Sequence, residues 1–335
     1  MLFPNDFGIF TISLDFELYW GVRDVRSLES YQTNLLGARR AIPAMLEIFK
    51  EFEIHATWAT VGFLFLEQDD DLQDTLPQIR PQYHQRSLDP YEEIPNLGEN
   101  EEADPYRLAP SLIRQIAATP HQEIGSHTLS HYYCLEPGQN EVSFEEDLKC
   151  ALALGKRHEM RLSSLVFPRN QVNEKYLGIC NKHGITAVRG NPDSWLHRKA
   201  DREKEPLLRR AFRLADHYVP LSGHQTFTIS PQKTGWPVDV KASRFLRPFS
   251  PRLKKLDPLR YMRLAGEMTR AAERKEIFHL WWHPHNFGTH LDENLTFLRR
   301  LLNLFSSLQN TAGMRSFSMG EVARQVAVVK SGPRV

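Results

Sequence analysis

The chain has 335 residues, 41% of them hydrophobic and 25% charged, with 42 Lys and Arg against 41 Asp and Glu. That length supports a large buried core, and a net charge of +1 removes any general pull toward nucleic acid or an anionic surface. Cys134, Cys150 and Cys180 form no disulfide pattern and suit a reducing compartment.

Residues 7–14 form an apolar, β-branched run closed by Asp15 and Glu17, which predicts a buried strand. Leu35, Leu36, Ile42, Leu46 and Phe49 recur at helical spacing within 28–52, with Pro43 expected to kink or divide the helix. A strand is expected over 54–61 and the start of a helix over 62–66. Residues 67–110 are acidic and rich in Pro and Gln, and read as an insertion. A helix over 111–118 and a strand over 123–126 follow, ending at His127 and His131. The next helix, 144–158, has Ser143 as its expected N-cap and Glu146 three residues on. Residues 164–167 read as a strand, 173–183 as a helix closed by Gly184, and 185–188 as another strand.

Residues 190–259 read as a second insertion. Within it, 241–260 carries Lys241, Arg244, Arg247, Arg252, Lys254, Lys255 and Arg260 against one acid, Asp257. Such a stretch is a solvated surface, or a contact for an anionic pyrophosphate-linked sugar or a peripheral membrane face. A helix (258–274), a strand (276–282), a long helix (291–308), a strand (316–318) and a helix (319–326) complete the chain. Alternating strands and helices predict one parallel α/β domain over 1–335 with two insertions. No run approaches the ~20 apolar residues of a membrane span, and the first residues lack an export signal, so the expected location is the cytoplasm.

Three polar islands stand at strand exits, where α/β folds build active sites. Asp15 and Glu17 share one face of an extended segment, and buried there they need a cation or a shared proton between them. His127 and His131, four apart, share a face if the segment turns as a helix, and two imidazoles with a carboxylate suit a divalent metal. His283 and His285 flank Pro284 after the apolar run 277–282. Each can be a proton donor, a ligand or a core residue, and spacing does not separate them.

Asp15-Phe16-Glu17, Ser126-His127-Thr128-Leu129-Ser130-His131, Phe167-Pro168-Arg169, Asp193-Ser194-Trp195 and Leu280-Trp281-Trp282-His283 resemble, in order, the five motifs of the NodB-type polysaccharide deacetylases, carbohydrate esterase family 4. The resemblance implies a distorted (β/α)7 barrel and a metal-dependent hydrolase that removes an N-acetyl group from an N-acetylated sugar or its nucleotide- or lipid-linked precursor, in surface polysaccharide biosynthesis. It implies one divalent ion, zinc by expectation, held by Glu17, His127 and His131. Asp15 resembles the general base, His283 the general acid and Arg169 the residue orienting the base. Asp193, Trp195 and His285 fall in substrate-binding positions. The family's first motif has adjacent acids; here Phe16 separates them, which leaves the roles of Asp15 and Glu17 interchangeable. The usual Arg of the third motif would fall at Val166. Rival readings are an allantoinase- or imidase-like hydrolase on the same scaffold and a non-catalytic carbohydrate-binding homologue. The sequence does not set the oligomeric state.

Overall fold

The computed structural model describes residues 6–67, 75–194, 207–230 and 233–331. Its nine strands are β1 (Ile9–Phe16), β2 (Ala56–Thr60), β3 (Gln122–Ser126), β4 (Ser164–Leu165), β5 (Ala187–Val188), β6 (Val238–Asp239), β7 (Arg244–Phe245), β8 (Ile277–Trp282) and β9 (Arg315–Ser316). They form one sheet in the order β6-β5-β4-β3-β2-β1-β8-β7, with β9 also paired to β1. Every ladder is parallel.

β6 and β7 are two halves of one extended passage. The amides of Val238 and Val240 donate to carbonyls of Thr186 and Val188 beside β5; those of Ser243 and Leu246 donate to His279 and Trp281 in β8. The passage joins the two ends of the sheet. Counted as one strand with β1 to β5 and β8, it makes the expected distorted (β/α)7 barrel.

All eight residues of β1 are buried, which is why the run reads as continuously apolar. Phe10, Ile12, Leu14 and Phe16 belong to the main core with Leu35, Ile42, Leu46 and Phe49. Side chains alternate along a strand, so Thr11, Ser13 and Asp15 point to the barrel interior, where all three are buried. The strand thus anchors in the core and delivers polar groups inside.

The helices are α1 (Leu28–Glu51), α2 (Pro110–Ala118), α3 (Glu141–Arg157), α4 (Glu174–Lys182), α5 (Leu207–Asp216), α6 (Asp257–Arg274), α7 (Leu291–Ala312) and α8 (Met319–Ser331). α1 is not divided: it runs on through Pro43. Residues 62–65 form a single 3-10 turn instead of starting a helix. α3 begins earlier than expected because Asn140 is its cap. Its side chain accepts from the Ser143 amide at 3.0 Å, and Ser143 Oγ accepts from the Asn140 amide at 3.3 Å, so Ser143 fills the third position of the capping box.

The basic stretch 241–260 is largely not a surface. Arg244 is buried and pairs with Asp216 and, at 2.9 Å, with Glu267. Arg260 is buried over the Phe297 ring, 3.8 Å from its centroid. Lys241 pairs with Asp193 at 2.5 Å. The carboxylates that neutralise these cations come mostly from outside the stretch, so local charge counting misses them. Arg252, Lys254 and Lys255 remain exposed.

Candidate active site and metal centre

The site lies at the C-terminal ends of the barrel strands. Glu17 follows β1 directly, and the chain then folds back through the 3-10 turn Leu18–Gly21. That turn brings Gly21 against Glu17. A Cβ on Gly21 would lie 1.9 Å from the Glu17 carboxyl carbon, so only glycine leaves the carboxylate its place.

His127 and His131 leave β3 in a loop, not on a helical turn. Thr128 (φ 65°) and His131 (φ 58°) are left-handed. Thr128 Oγ1 accepts from the Tyr132 amide at 2.7 Å. The Asp147 carboxylate, fully buried on α3, accepts from the Leu129 amide at 2.8 Å and the Ser130 hydroxyl at 2.5 Å. Burial raises the Asp147 pKa to about 6 against these hydrogen bonds. The loop, held from α3, sets the two imidazole centroids 5.1 Å apart.

Ligating atoms of Glu17, His127 and His131 all lie within 4.8 Å of one another, and all three residues are buried. Their donor chemistry fits a divalent cation. His127 Nδ1 donates to the Val166 carbonyl at 2.8 Å, so in the neutral ring Nε2 is bare. That nitrogen has no hydrogen-bond partner, yet lies 3.3 Å from Glu17 Oε2. Two acceptors face each other, an arrangement a cation between them relieves. His131 Nε2 lies 3.1 Å from the same oxygen. Burial, only partly opposed by Glu17, brings the His131 pKa down to about 4, so the ring is neutral at pH 7. Burial raises the Glu17 pKa, but His283 and the two imidazoles of His127 and His131 beside it outweigh it and hold the carboxyl well below its usual range. Two imidazoles, one carboxylate and a carbonyl behind one ring are the usual surroundings of zinc-like ions.

Asp15 sits beside this set in a different environment. Arg189 grips it bidentately, Nη1 to Oδ1 at 2.6 Å and Nη2 to Oδ2 at 2.7 Å. Burial would raise its pKa; the Arg189 charge, helped by His127 and His283, wins and lowers it. The guanidinium on Asp15 is therefore Arg189, not Arg169. Arg169 pairs with Asp24 and lies 4.4 Å over the Tyr133 ring. It is drawn there because it is left-handed (φ 54°) in the turn after Pro168.

His283 closes the constellation. Its Nε2 lies 3.7 Å from Asp15 Oδ2 and 3.5 Å from Glu17 Oε1, and its side chain keeps 23% exposure. Asn286 Nδ2 lies 3.2 Å from His283 Nδ1; in the neutral ring, donation there leaves the proton on Nε2, facing the carboxylates, and with the Asn286 amide turned its oxygen accepts from Nδ1 and the ring carries both protons. His285 is buried behind it with rings stacked at 5.0 Å. Burial, reinforced by His283, lowers its pKa to about 3, so it offers the site a neutral ring. Asp193, expected to bind substrate, has an exposed side chain paired with Lys241. Trp195 lies outside the described residues.

Sequence reasoning missed Arg189, Asp147 and Asn286. Arg189 stood at the exit of a predicted strand, followed by Gly190, in the same position as the three islands. Asp147 lies on the buried face of α3 with Phe144, Leu148 and Ala151, an acid within an apolar stripe.

Residues 35–188 match the polysaccharide deacetylase family model. Over that span the chain is similar to the polysaccharide deacetylase family. No curated protein matches it in sequence. Among solved structures, a candidate polysaccharide deacetylase from Mycobacterium smegmatis superposes with a TM-score of 0.60 at 14% identity, covering 100% of this chain and 98% of its own. A PuuE allantoinase gives 0.57 at 12%, covering 99% and 94%. A protein described as a probable polysaccharide deacetylase from Pseudomonas aeruginosa PAO1 gives 0.55 at 12%, covering 98% and 94%. At these identities the likenesses speak for the fold alone. Among the described residues, no helix is long and apolar enough to cross a membrane. That family match supports deacetylation as the general activity.

Proposed function

We propose that this protein is a metal-dependent N-deacetylase acting on an N-acetylated sugar, as a nucleotide- or lipid-linked precursor of a surface polysaccharide. The observation carrying this reading is the pairing of two environments in one cleft: the bare His127 Nε2 and the His131 ring facing Glu17, and an Arg-paired Asp15 beside them. Glu17, His127 and His131 would hold one divalent ion, by expectation zinc. When bound, such an ion supplies Lewis-acid polarisation of an amide carbonyl.

The remaining chemistry belongs to the chain. Asp15, kept ionised by Arg189, takes a proton from the attacking water as its oxygen bonds to the carbonyl carbon. His283, entering the step as an imidazolium, gives its Nε2 proton to the leaving nitrogen as the C–N bond breaks and returns to the neutral ring, so the products are acetate and a free amine. His283 suits this task because its proton faces the cleft and its ring is the most open of the set. Arg169, Asp193 and His285 line the surroundings. The free cysteines fit a reducing compartment, the cytoplasm. Arg252, Lys254 and Lys255 are the cations left to meet an anionic membrane face.

The test is acetate release from N-acetylglucosamine oligomers by zinc-loaded protein, with metal content measured in parallel. Glu17→Gln should lose both metal and activity. Ring opening of allantoin without acetate release would transfer the reading to a ureide hydrolase. Absence of bound metal after zinc supplementation, with no hydrolysis, would point to a non-catalytic homologue.

A further inference from the structure

The barrel's closing passage changes partner between Val240 and Ser243, from the β5 side to β8. At that seam one side chain meets two carbonyls. His279 Nδ1 lies 3.0 Å from the Val240 oxygen and 3.1 Å from that of Lys241. Carbonyls only accept, so Nδ1 carries a proton and donates it. Burial, aided by the Arg189 charge, brings the ring's pKa down to about 3, so the imidazole is neutral and Nε2 is a bare acceptor. Ser13 Oγ lies 2.8 Å from Nε2 and must donate its only proton there. The Ser13 lone pairs then accept from Arg189 Nη1 at 2.9 Å, and Arg189 donates to Asp15. Each proton in this chain has one permitted direction, and His279, Ser13 and Arg189 are buried. Asn170 Oδ1 holds the other guanidinium nitrogen at 2.9 Å, and Trp281 lies under its face at 4.3 Å.

We propose that His279 and Ser13 are positioning residues: they fix the Arg189 guanidinium and, through it, the orientation of Asp15, so that closure of the barrel and placement of the base are one arrangement. The proposal rests on the deacetylase reading for the role of Asp15, not for the chain of hydrogen bonds. A purely structural polar plug would affect stability and leave turnover alone.

The experiment uses zinc-loaded full-length protein with Ser13→Ala, His279→Leu and His279→Gln, each checked for fold by circular dichroism and for metal content. Gln can present an oxygen where Nε2 stood. Ser13→Ala and His279→Leu should lower kcat about 10- to 100-fold, the usual range for residues one contact removed from a site, with KM and metal content unchanged. His279→Gln should restore most of the loss. Wild-type kcat in folded Ser13→Ala and His279→Leu would overturn the proposal, as would equal losses in His279→Leu and His279→Gln. If wild-type protein releases no acetate, the deacetylase reading falls. The hydrogen-bond chain is then decided by ¹⁵N NMR of the imidazoles: a His279 Nδ1–H tautomer whose Nε2 resonance moves in Ser13→Ala supports it, and an Nε2–H tautomer refutes it.

Discussion

Asp147→Asn should make the protein more resistant to unfolding above neutral pH, although it removes a carboxylate that orders the loop carrying His127 and His131. The wild-type carboxyl is fully buried, and among the described residues no cation pairs with it. Its folded pKa of about 6 exceeds the ordinary value of about 3.9 by roughly two units, which corresponds to about 3 kcal/mol. The sign follows from linkage. Between roughly pH 4 and pH 6 the folded state keeps a proton that the unfolded chain has released, so stability falls as pH rises and is flat beyond. Asn is the neutral isostere: Oδ1 can accept from the Leu129 amide and Nδ2 can donate to Ser130 Oγ. The assay is urea unfolding of wild type and variant from pH 4.5 to 8 with a chelator present, because bound metal carries its own proton linkage. The variant's stability minus wild type should climb by about 2 kcal/mol across that interval, the rest of the difference lying below pH 4.5. Every other titrating group cancels in the difference, so a flat difference curve would refute the burial argument. Asp147→Leu is the control: neutral as well, it strands two buried donors at about 1–3 kcal/mol each and should be destabilised at every pH.

Three further outcomes follow from the geometry. Gly21→Ala should displace the Glu17 carboxylate and weaken zinc binding, measured by calorimetry, while leaving the unfolding midpoint of chelated protein nearly unchanged. Arg189→Leu leaves Asp15 as an uncompensated buried charge and should cost about 3–5 kcal/mol in urea unfolding; if Arg169→Leu cost as much and Arg189→Leu little, the pairing described here would be wrong. Replacing Arg252, Lys254 and Lys255 together by Ser should reduce cosedimentation with anionic vesicles in a salt-sensitive way, and unchanged partitioning would remove the membrane-facing role.

The barrel was legible because its signals are periodic and repeated. β1 and β8 are apolar runs ended by a polar residue, and the helices outside 190–257 carry their stripes, so most of the element order could be read without tertiary information. What failed was local competition. Ser143 looked like a cap because it precedes an apolar helix face, but Asn140, three residues earlier, captures the Ser143 amide first. The passage over 238–246 was missed because its two strand pieces have two residues each and switch partners. No periodicity survives at that length, and its order comes from the strands on either side.

The site shows the same division at finer scale. The convergence of Glu17, His127 and His131 was legible because metal-ligand chemistry restricts residue type, so a few polar positions at strand exits leave few alternatives. The helical-turn geometry assigned to the histidines was wrong, and yet the rings converge. Two left-handed residues and the Asp147 anchor bring together what helical spacing was expected to. Cation partners carry no such restriction: any arginine with sufficient reach satisfies a carboxylate, and the sequence holds many. Arg169 was chosen for its motif and Arg189 overlooked, and distance along the chain could not decide between them. Burial decides it. Asp15 lies inside the barrel, where only a side chain that also points inward can reach it, and Arg189 follows directly on β5 with its whole side chain buried. Arg169, beyond the strand end in a left-handed turn, reaches the rim and the Asp24 carboxylate there.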